Sequence, residues 1–330
     1  MNINELEGLL PLLDDESGRA GQAVDLSTAV ETFILDCQAG ALSDATVRWY
    51  GSLLRTLLKA FPGAQLATIS TNDLRRYMAA LKDRNTRFED APQRPAQAGK
   101  LADASIIGHS TALHAFWAWC GKEYGIVNPM AGVKRPRRQK PTPKAIASPD
   151  FVALFDSCGE DEAGYRNRAL LAFLGDAGVR AGELLSLTKD HLLLNEKQAV
   201  VSGKTGQRIV VYTKYTRALL ALWLEERKLD SNYIFTSLTT GEPLTGSGLD
   251  QVLRRMKKDA GVTGRVNPHS FRHAFAREYL RAGGDVIRLA KLTGHESLDT
   301  LGAYYAIFTA DELAEMHEDF SPLRRMMEAK

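Results

Sequence analysis

The sequence predicts a mainly α-helical protein with one small β-sheet, built as two folded domains. Apolar residues recur at helical spacing along most of the chain. Only residues 191–213 switch to strand-like composition, around a Gly203-Lys204-Thr205-Gly206 turn. A basic, proline-broken run, residues 132–144, divides the chain. With 330 residues, 44% hydrophobic and 25% charged, each part has enough material for its own core.

Residues 1–24 are acidic and lack a sustained period, which marks a lead-in. From Leu26, the residues Val30, Phe33, Ile34 and Cys37 form one helical face, and Gly40 stops it. Ser43 caps a second helix with a broad apolar face running from Trp49 to Phe61. Its opposite side carries Arg48, Ser52, Arg55 and Lys59. A charged helix face is ordinarily just solvated; this one holds no acid, which favours phosphate contact. Pro62-Gly63 breaks the helix, and Ser70 to Asp73 offers caps for a third that runs to about Lys82. Residues 83–100 are polar with no hydrophobic period and read as a loop. A fourth helix turns Ile106, Leu113, Phe116, Trp117 and Cys120 inward, with His109 and His114 read as ordinary structural histidines. Residues 25–131 therefore read as a helical bundle.

Composition narrows the function. No run approaches 18 apolar residues and the N-terminus lacks a signal-peptide pattern, so a soluble, intracellular protein with no membrane partner is expected. Cys37, Cys120 and Cys158 are few and far apart, which argues against a disulfide framework or a cysteine zinc site and for buried thiols. The net charge of +2 conceals an asymmetry, because residues 1–44 hold nine acids and one base. Removing them from the whole leaves 41 basic and 31 acidic residues, a surplus of ten positive charges suited to a polyanion. In the run 132–147 the cations Lys134, Arg135, Arg137, Arg138, Lys140 and Lys144 stand without an acid. A solvated linker is the plain reading; a strap along a nucleic-acid backbone, adding affinity without reading sequence, is the preferred one.

The second domain, 148–330, opens on a helix over Phe151–Phe155 with Ser148 as its cap, followed by an apolar helix over Tyr165–Asp176 that Gly178 ends. Arg180 then precedes a helix over Ala181–Leu187, whose positive end favours a nearby phosphate, with Glu183 placed to brace Arg180 or to cap locally. Strands Ala199–Ser202 and Arg208–Thr213 put Lys204 at a hairpin tip. Helices over Ala218–Glu226 and Leu249–Ala260 follow. Pro268 opens a helix on which His269, Arg272 and Ala276 share one face, left free for chemistry, while Phe271, Phe275 and Tyr279 face the core. Gly283-Gly284 ends it, Asp285 caps a short helix to about Leu292, and Gly294 closes that before His295. A last helix from Ser297 would bury Leu298, Leu301, Tyr305 and Phe308, which leaves Tyr304 with its hydroxyl available. Residues from about 309 to 330 form a C-terminal tail.

Arginine's planar fork matches two phosphate oxygens, and a phenol needs a cationic site or a base to become a nucleophile at neutral pH. Together these groups suggest attack on a phosphodiester. The stretch from Gly178-Val179-Arg180-Ala181-Gly182-Glu183 to Leu187, then His269-Ser270-Phe271-Arg272-His273, then Leu292-Thr293-Gly294-His295 with Tyr304 nine residues on, resembles the tyrosine recombinase or integrase family. The architecture is similar to its simpler, Xer-like members. That resemblance implies an N-terminal helical core-binding domain of SAM-like type and an α+β catalytic domain. It implies a site-specific DNA recombinase that forms a 3′-phosphotyrosyl intermediate without metal or ATP.

By the same resemblance Arg180 and Arg272 clamp the scissile phosphate, Tyr304 attacks and Lys204 protonates the leaving oxygen. His269 acts as general acid/base, His295 positions, and Glu183 supports. Arg48, Arg55, Lys59, Lys134, Arg135, Arg137 and Arg138 would contact DNA. The expected partners are duplex DNA with paired inverted sites, three further copies of the chain in a tetramer, joined through the C-terminal segment, and accessory proteins, in a bacterial-type nucleoid. Three rivals stand beside this reading: a type IB-like topoisomerase or telomere resolvase, a silent DNA-binding relative, and a zinc enzyme using His269 and His273.

Overall fold

The structure is a computed structural model that describes residues 23–87, 95–137, 144–203, 206–295 and 308–309, with a few positions beyond. The chain divides into two compact units, Met1–Gln139 and Lys140–Lys330.

In the first unit, α1 (Leu26–Ala39), α2 (Asp44–Ala60), α3 (Thr71–Asp83) and α4 (Asp103–Glu123) pack as a bundle. Ser43 caps α2 through its hydroxyl, and Ser70 and Asp73 form a reciprocal capping box on α3, so both predicted starts are found where local chemistry supports them. The core holds Phe33, Leu54, Leu57, Leu74, Leu113, Phe116 and Trp117, with Phe33 edge-on to Tyr50 and Phe116. Arg48, Arg55 and Lys59 are exposed opposite that core, as are Lys134, Arg135 and Arg137; Arg138 lies outside the described residues. The polar stretch read as a loop contains a two-residue antiparallel ladder, β1 (Thr86–Arg87) with β2 (Gln97–Ala98). Such a short ladder rests on backbone pairing rather than on a hydrophobic face, which is why no period announced it. His109 is buried and His114 lies within hydrogen-bond distance of the Ser110 and Val133 carbonyls, both in structural settings.

The second unit is built on α6 (Glu162–Ala177), whose Ala169, Leu170, Leu171, Phe173 and Leu174 are all buried. Against it pack α5 (Ser148–Asp156), α8 (Lys214–Glu226) and α10 (Pro268–Arg281). Asp161, not a hydrophobic residue further on, begins α6 by accepting from the Gly164 N–H. Ser148 is not the cap of α5 but its first residue, after Ala147, with Pro149 next in the first turn. The short α7 (Ala181–Leu185) leads into a three-stranded antiparallel sheet ordered β3 (Leu192–Leu193), β4 (Gln198–Gly203), β5 (Gly206–Val211). Its hairpin register pairs Val201 with Arg208 and Gly203 with Gly206, so the ladder takes in both glycines assigned to the turn: the first strand extends one residue further at each end than expected, and the second starts and stops two residues earlier. The set is completed by α9 (Gly246–Asp259) and α11 (Val286–Thr293), the latter capped by Asp285 and closed by Gly294 in the left-handed conformation. All three cysteines are free and buried. Among the described residues no helix is long and apolar enough to cross a membrane.

Candidate active site

The described site is organised by the C-terminal end of α11. The last carbonyls of a helix have no intrahelical partner. Here three consecutive ones are taken by three arginines from three elements. Arg208, on β5, donates to the Leu292 carbonyl; Arg272, on α10, to that of Thr293; and Arg180, at the start of α7, to that of Gly294 at 2.8 Å. Cations suit the negative end of a helix. The arrangement needs a tight reversal, and Gly294 supplies it at φ +65°, where a Cβ would stand 2.7 Å from Arg208 Cδ.

Glu183 ties the same arginines together. It is 2% exposed. Its Oε1 accepts from Arg180 Nη1 at 2.9 Å and from Arg208 Nε at 3.2 Å; its Oε2 accepts from the Arg180 backbone N–H and from Arg208 Nη2, both at 2.8 Å. The two expected roles, brace and cap, are thus performed at once by two oxygens. Burial alone would raise its pKa, but the hydrogen bonds and charges of Arg208 and Arg180 outweigh that and hold the carboxyl below its usual range.

Arg272 corrects an expectation. Its face of α10 is not free: the side chain is buried, 4% exposed, and Nη1 donates to the Gly178 carbonyl at 2.6 Å. A helical wheel cannot show that the turn after α6 and the end of α11 close over that face. His295 Nε2 lies 3.4 Å from Arg272 Nη2, and its Nδ1 lies 2.6 Å from the Thr293 hydroxyl. Burial, with the charges of Arg272, Arg180 and Arg208, pulls His295 down to about 4. His273 is likewise brought to about 4, chiefly by burial. His269 is exposed and stacks on His273 with ring centroids 6.3 Å apart. Partial loss of hydration, then Arg272, Arg265 and Arg180, hold its pKa below the ordinary histidine value. All three shifts favour the neutral imidazole over the charged one. Among the described residues no group of three or more His, Cys, Asp or Glu is placed to hold a metal ion.

The structure therefore brings together Arg180, Glu183, Arg272 and His295, with His269 one helical turn before His273. Lys204 and Tyr304 lie outside the described residues. The sequence profile of the phage integrase family matches residues 144–310, just over half of the chain.

The chain belongs to the phage integrase family.

It is a tyrosine-type site-specific DNA recombinase, and the topoisomerase reading is not favoured. The integrase is 28% identical over 229 residues to the tyrosine recombinase XerC of Staphylococcus saprophyticus, covering 67% of this chain and 77% of the relative. With XerC of Staphylococcus aureus it shares 29% over 247 residues, 73% of this chain and 78% of the other. Its fold is similar to the Tn1549 transposon integrase solved with a circular intermediate DNA (TM-score 0.70, 16% identity, 90% of this chain and 100% of that one). It is also similar to a lambda integrase dimer bound to a COC′ core site (TM-score 0.67, 15% identity, 85% and 95%). The mainly helical architecture with small antiparallel sheets is the fold of this family.

Sequence reasoning missed Arg208 and Thr293. Arg208 reads in the chain as one more polar residue in a strand, and only its approach to Glu183 gives it meaning. Thr293 falls inside the Leu292–His295 motif, which by itself gives the hydroxyl no role.

Proposed function

We propose that this integrase cuts and rejoins duplex DNA through a covalent bond to Tyr304. In the cleavage step the Tyr304 oxygen forms a bond to the scissile phosphorus while the bond to the 5′ oxygen breaks, leaving a 3′-phosphotyrosyl link. The phenolic proton passes to a base, for which neutral His269 is suited. The departing 5′ oxygen takes a proton from Lys204. Arg180 and Arg272 hold the non-bridging oxygens and offset the charge that builds there. Because one phosphoester replaces another, the exchange itself needs neither nucleotide nor metal chemistry. A 5′ hydroxyl from a second duplex then reverses the step to give a recombinant.

One observation carries the reading: Arg180 and Arg272, 92 positions apart in the chain, both end on adjacent carbonyls of one helix terminus, beside His295. Arg180 also keeps its Nε and further N–H donors for a ligand.

The finer assignments belong to the same proposal. Paired inverted half-sites fit a family in which XerH is described on a palindromic difH substrate. The cations Arg48, Arg55, Lys59, Lys134, Arg135, Arg137 and Arg138 would bind the duplex backbone. Self-association to a tetramer would use the C-terminal segment, where Leu323, Met326 and Met327 stand exposed at helical spacing. A supporting role for accessory proteins, and residence at the bacterial nucleoid, complete the reading. The domain limits proposed are a lead-in (1–24), the core-binding domain (25–131), the strap (132–147) and the catalytic domain (148–330).

The test is to trap the covalent adduct on nicked suicide duplexes drawn from the DNA flanking the gene. Wild type should form an adduct, while Tyr304→Phe should bind as tightly and form none. An adduct that persists in Tyr304→Phe would move the nucleophile, with Tyr305 the first replacement.

A further inference from the structure

Three arginines meet the end of α11, and two of them have work in the reaction proposed above. Arg272 is itself buried, 4% exposed, and Arg208 differs from Arg180, the more exposed of those two. Its side chain is 14% exposed against 31% for Arg180, and each of its three nitrogens already donates within the protein: Nε and Nη2 to Glu183, Nη1 to the Leu292 carbonyl. A guanidinium so occupied is poorly placed to clamp a substrate. It is well placed to hold the residues that do.

Two contacts make this specific. First, Arg208 and Arg180 share both oxygens of one buried carboxylate, so the orientation of Glu183, and through it that of Arg180, depends on both cations. Without Arg208 the carboxylate would face one partner and could rotate to follow it. Second, Arg208 and Arg180 secure carbonyls two residues apart, at Leu292 and Gly294, immediately before His295. The partner strand of the same hairpin, β4, is held close as well, since a Cβ at Gly203 would lie 3.1 Å from Glu183 Oε1. Arg208 is thus the link between the β4–β5 hairpin, the Glu183 carboxylate and the end of α11.

We propose that Arg208 is a positioning residue for DNA cleavage: it fixes Glu183 and the α11 terminus so that the Arg180 guanidinium meets the scissile phosphate preorganised. This rests on the phosphotyrosyl reading above. In that reading Arg180 offsets the negative charge of a non-bridging oxygen. A substrate whose scissile phosphate carries a methyl group in place of that oxygen has no such charge, and so depends less on the arginine.

The experiment uses the full chain and a suicide duplex that wild type cleaves, made once with the ordinary phosphate and once with the methylphosphonate. Single-turnover adduct formation at saturating protein and the Kd for each duplex are measured for wild type, Arg180→Ala, Arg208→Ala and Arg208→Lys, with thermal melting as the check on folding. Arg208→Ala should bind within about threefold of wild type and cleave the ordinary duplex on the order of 10²-fold more slowly. On the methylphosphonate its deficit should shrink to about tenfold or less, as for Arg180→Ala. Arg208→Lys should recover part of the ordinary rate, because an ammonium can reach Glu183 but cannot form the planar fork. Should Arg208→Ala melt below the assay temperature, Arg208→Lys alone decides, by the same comparison of substrates. Wild-type cleavage in an Arg208 variant, or a deficit equal on both substrates, would overturn the proposal. If wild type forms no adduct with either duplex, the phosphotyrosyl reading itself fails, which is a separate result.

Discussion

Thr293 Oγ1 stands 2.6 Å from His295 Nδ1, and the contacts around the pair favour one tautomer of that histidine. The threonine hydroxyl has one proton, and it goes to the Leu289 carbonyl at 2.6 Å. Its oxygen then accepts, so the hydrogen-bond network favours the N–H of His295 on Nδ1. Nε2 is left as a lone pair facing Arg272.

Removing that acceptor should disturb chemistry more than folding. Thr293→Val keeps the shape but lets His295 change tautomer. Single-turnover cleavage is expected to fall about tenfold, in line with the loss of one buried hydrogen bond, while Thr293→Ser stays near wild type. Unchanged cleavage in Thr293→Val would mean that the tautomer does not matter to the reaction.

Glu183 should be far less tolerant. Glu183→Gln leaves Arg180 and Arg208 side by side with no anion between them, and breaking a buried pair in this way costs about 3 kcal/mol. Urea unfolding measures it. The pH sign follows from the lowered carboxyl pKa: the stabilisation is present above the unfolded carboxylate value and is lost as pH falls through the lower folded one. The variant should therefore lose less stability than wild type on acidification through that window.

The half-buried histidines act in the same direction at higher pH. With His273 and His295 near 4 in the folded chain, the unfolded chain binds more protons between about pH 6.5 and 4, so stability falls as pH drops through that interval. Each such histidine contributes a slope of up to about 1.4 kcal/mol per pH unit there. His273→Gln should flatten the dependence of the urea midpoint on pH within that range and leave it unchanged above pH 7. An equally steep slope in the variant would show that His273 titrates normally.

The strap makes a prediction about salt. Replacing Arg135, Arg137 and Arg138 by glutamine should weaken binding to any duplex and reduce the salt dependence by roughly 0.9 for each phosphate no longer neutralised. Titrations at several salt concentrations, on specific and random DNA, give the slope. An unaltered slope would make the segment a plain connector.

The helices were legible because their signals are local. Ser43, Ser70, Asp285 and Gly294 act on neighbours three or four residues away, and the apolar stripes of α1, α2 and α4 follow one helical period. Motif order likewise marked Arg180, Glu183, Arg272 and His295 before any fold was known. Ser148 misled because a serine one residue before a proline fits a cap and a first turn equally well.

What the sequence by itself determined is the inventory: two arginines, two histidines, a lysine, a carboxylate and a tyrosine, in motif order along the chain. The tertiary structure alone decided that Arg272 is buried, that Arg208 shares Glu183 with Arg180, and that three guanidiniums close the end of one short helix. The reason is physical. A helix terminus always leaves carbonyls unpaired, but which distant cations reach them depends on how α6, α10 and β5 pack, and no local pattern encodes those contacts.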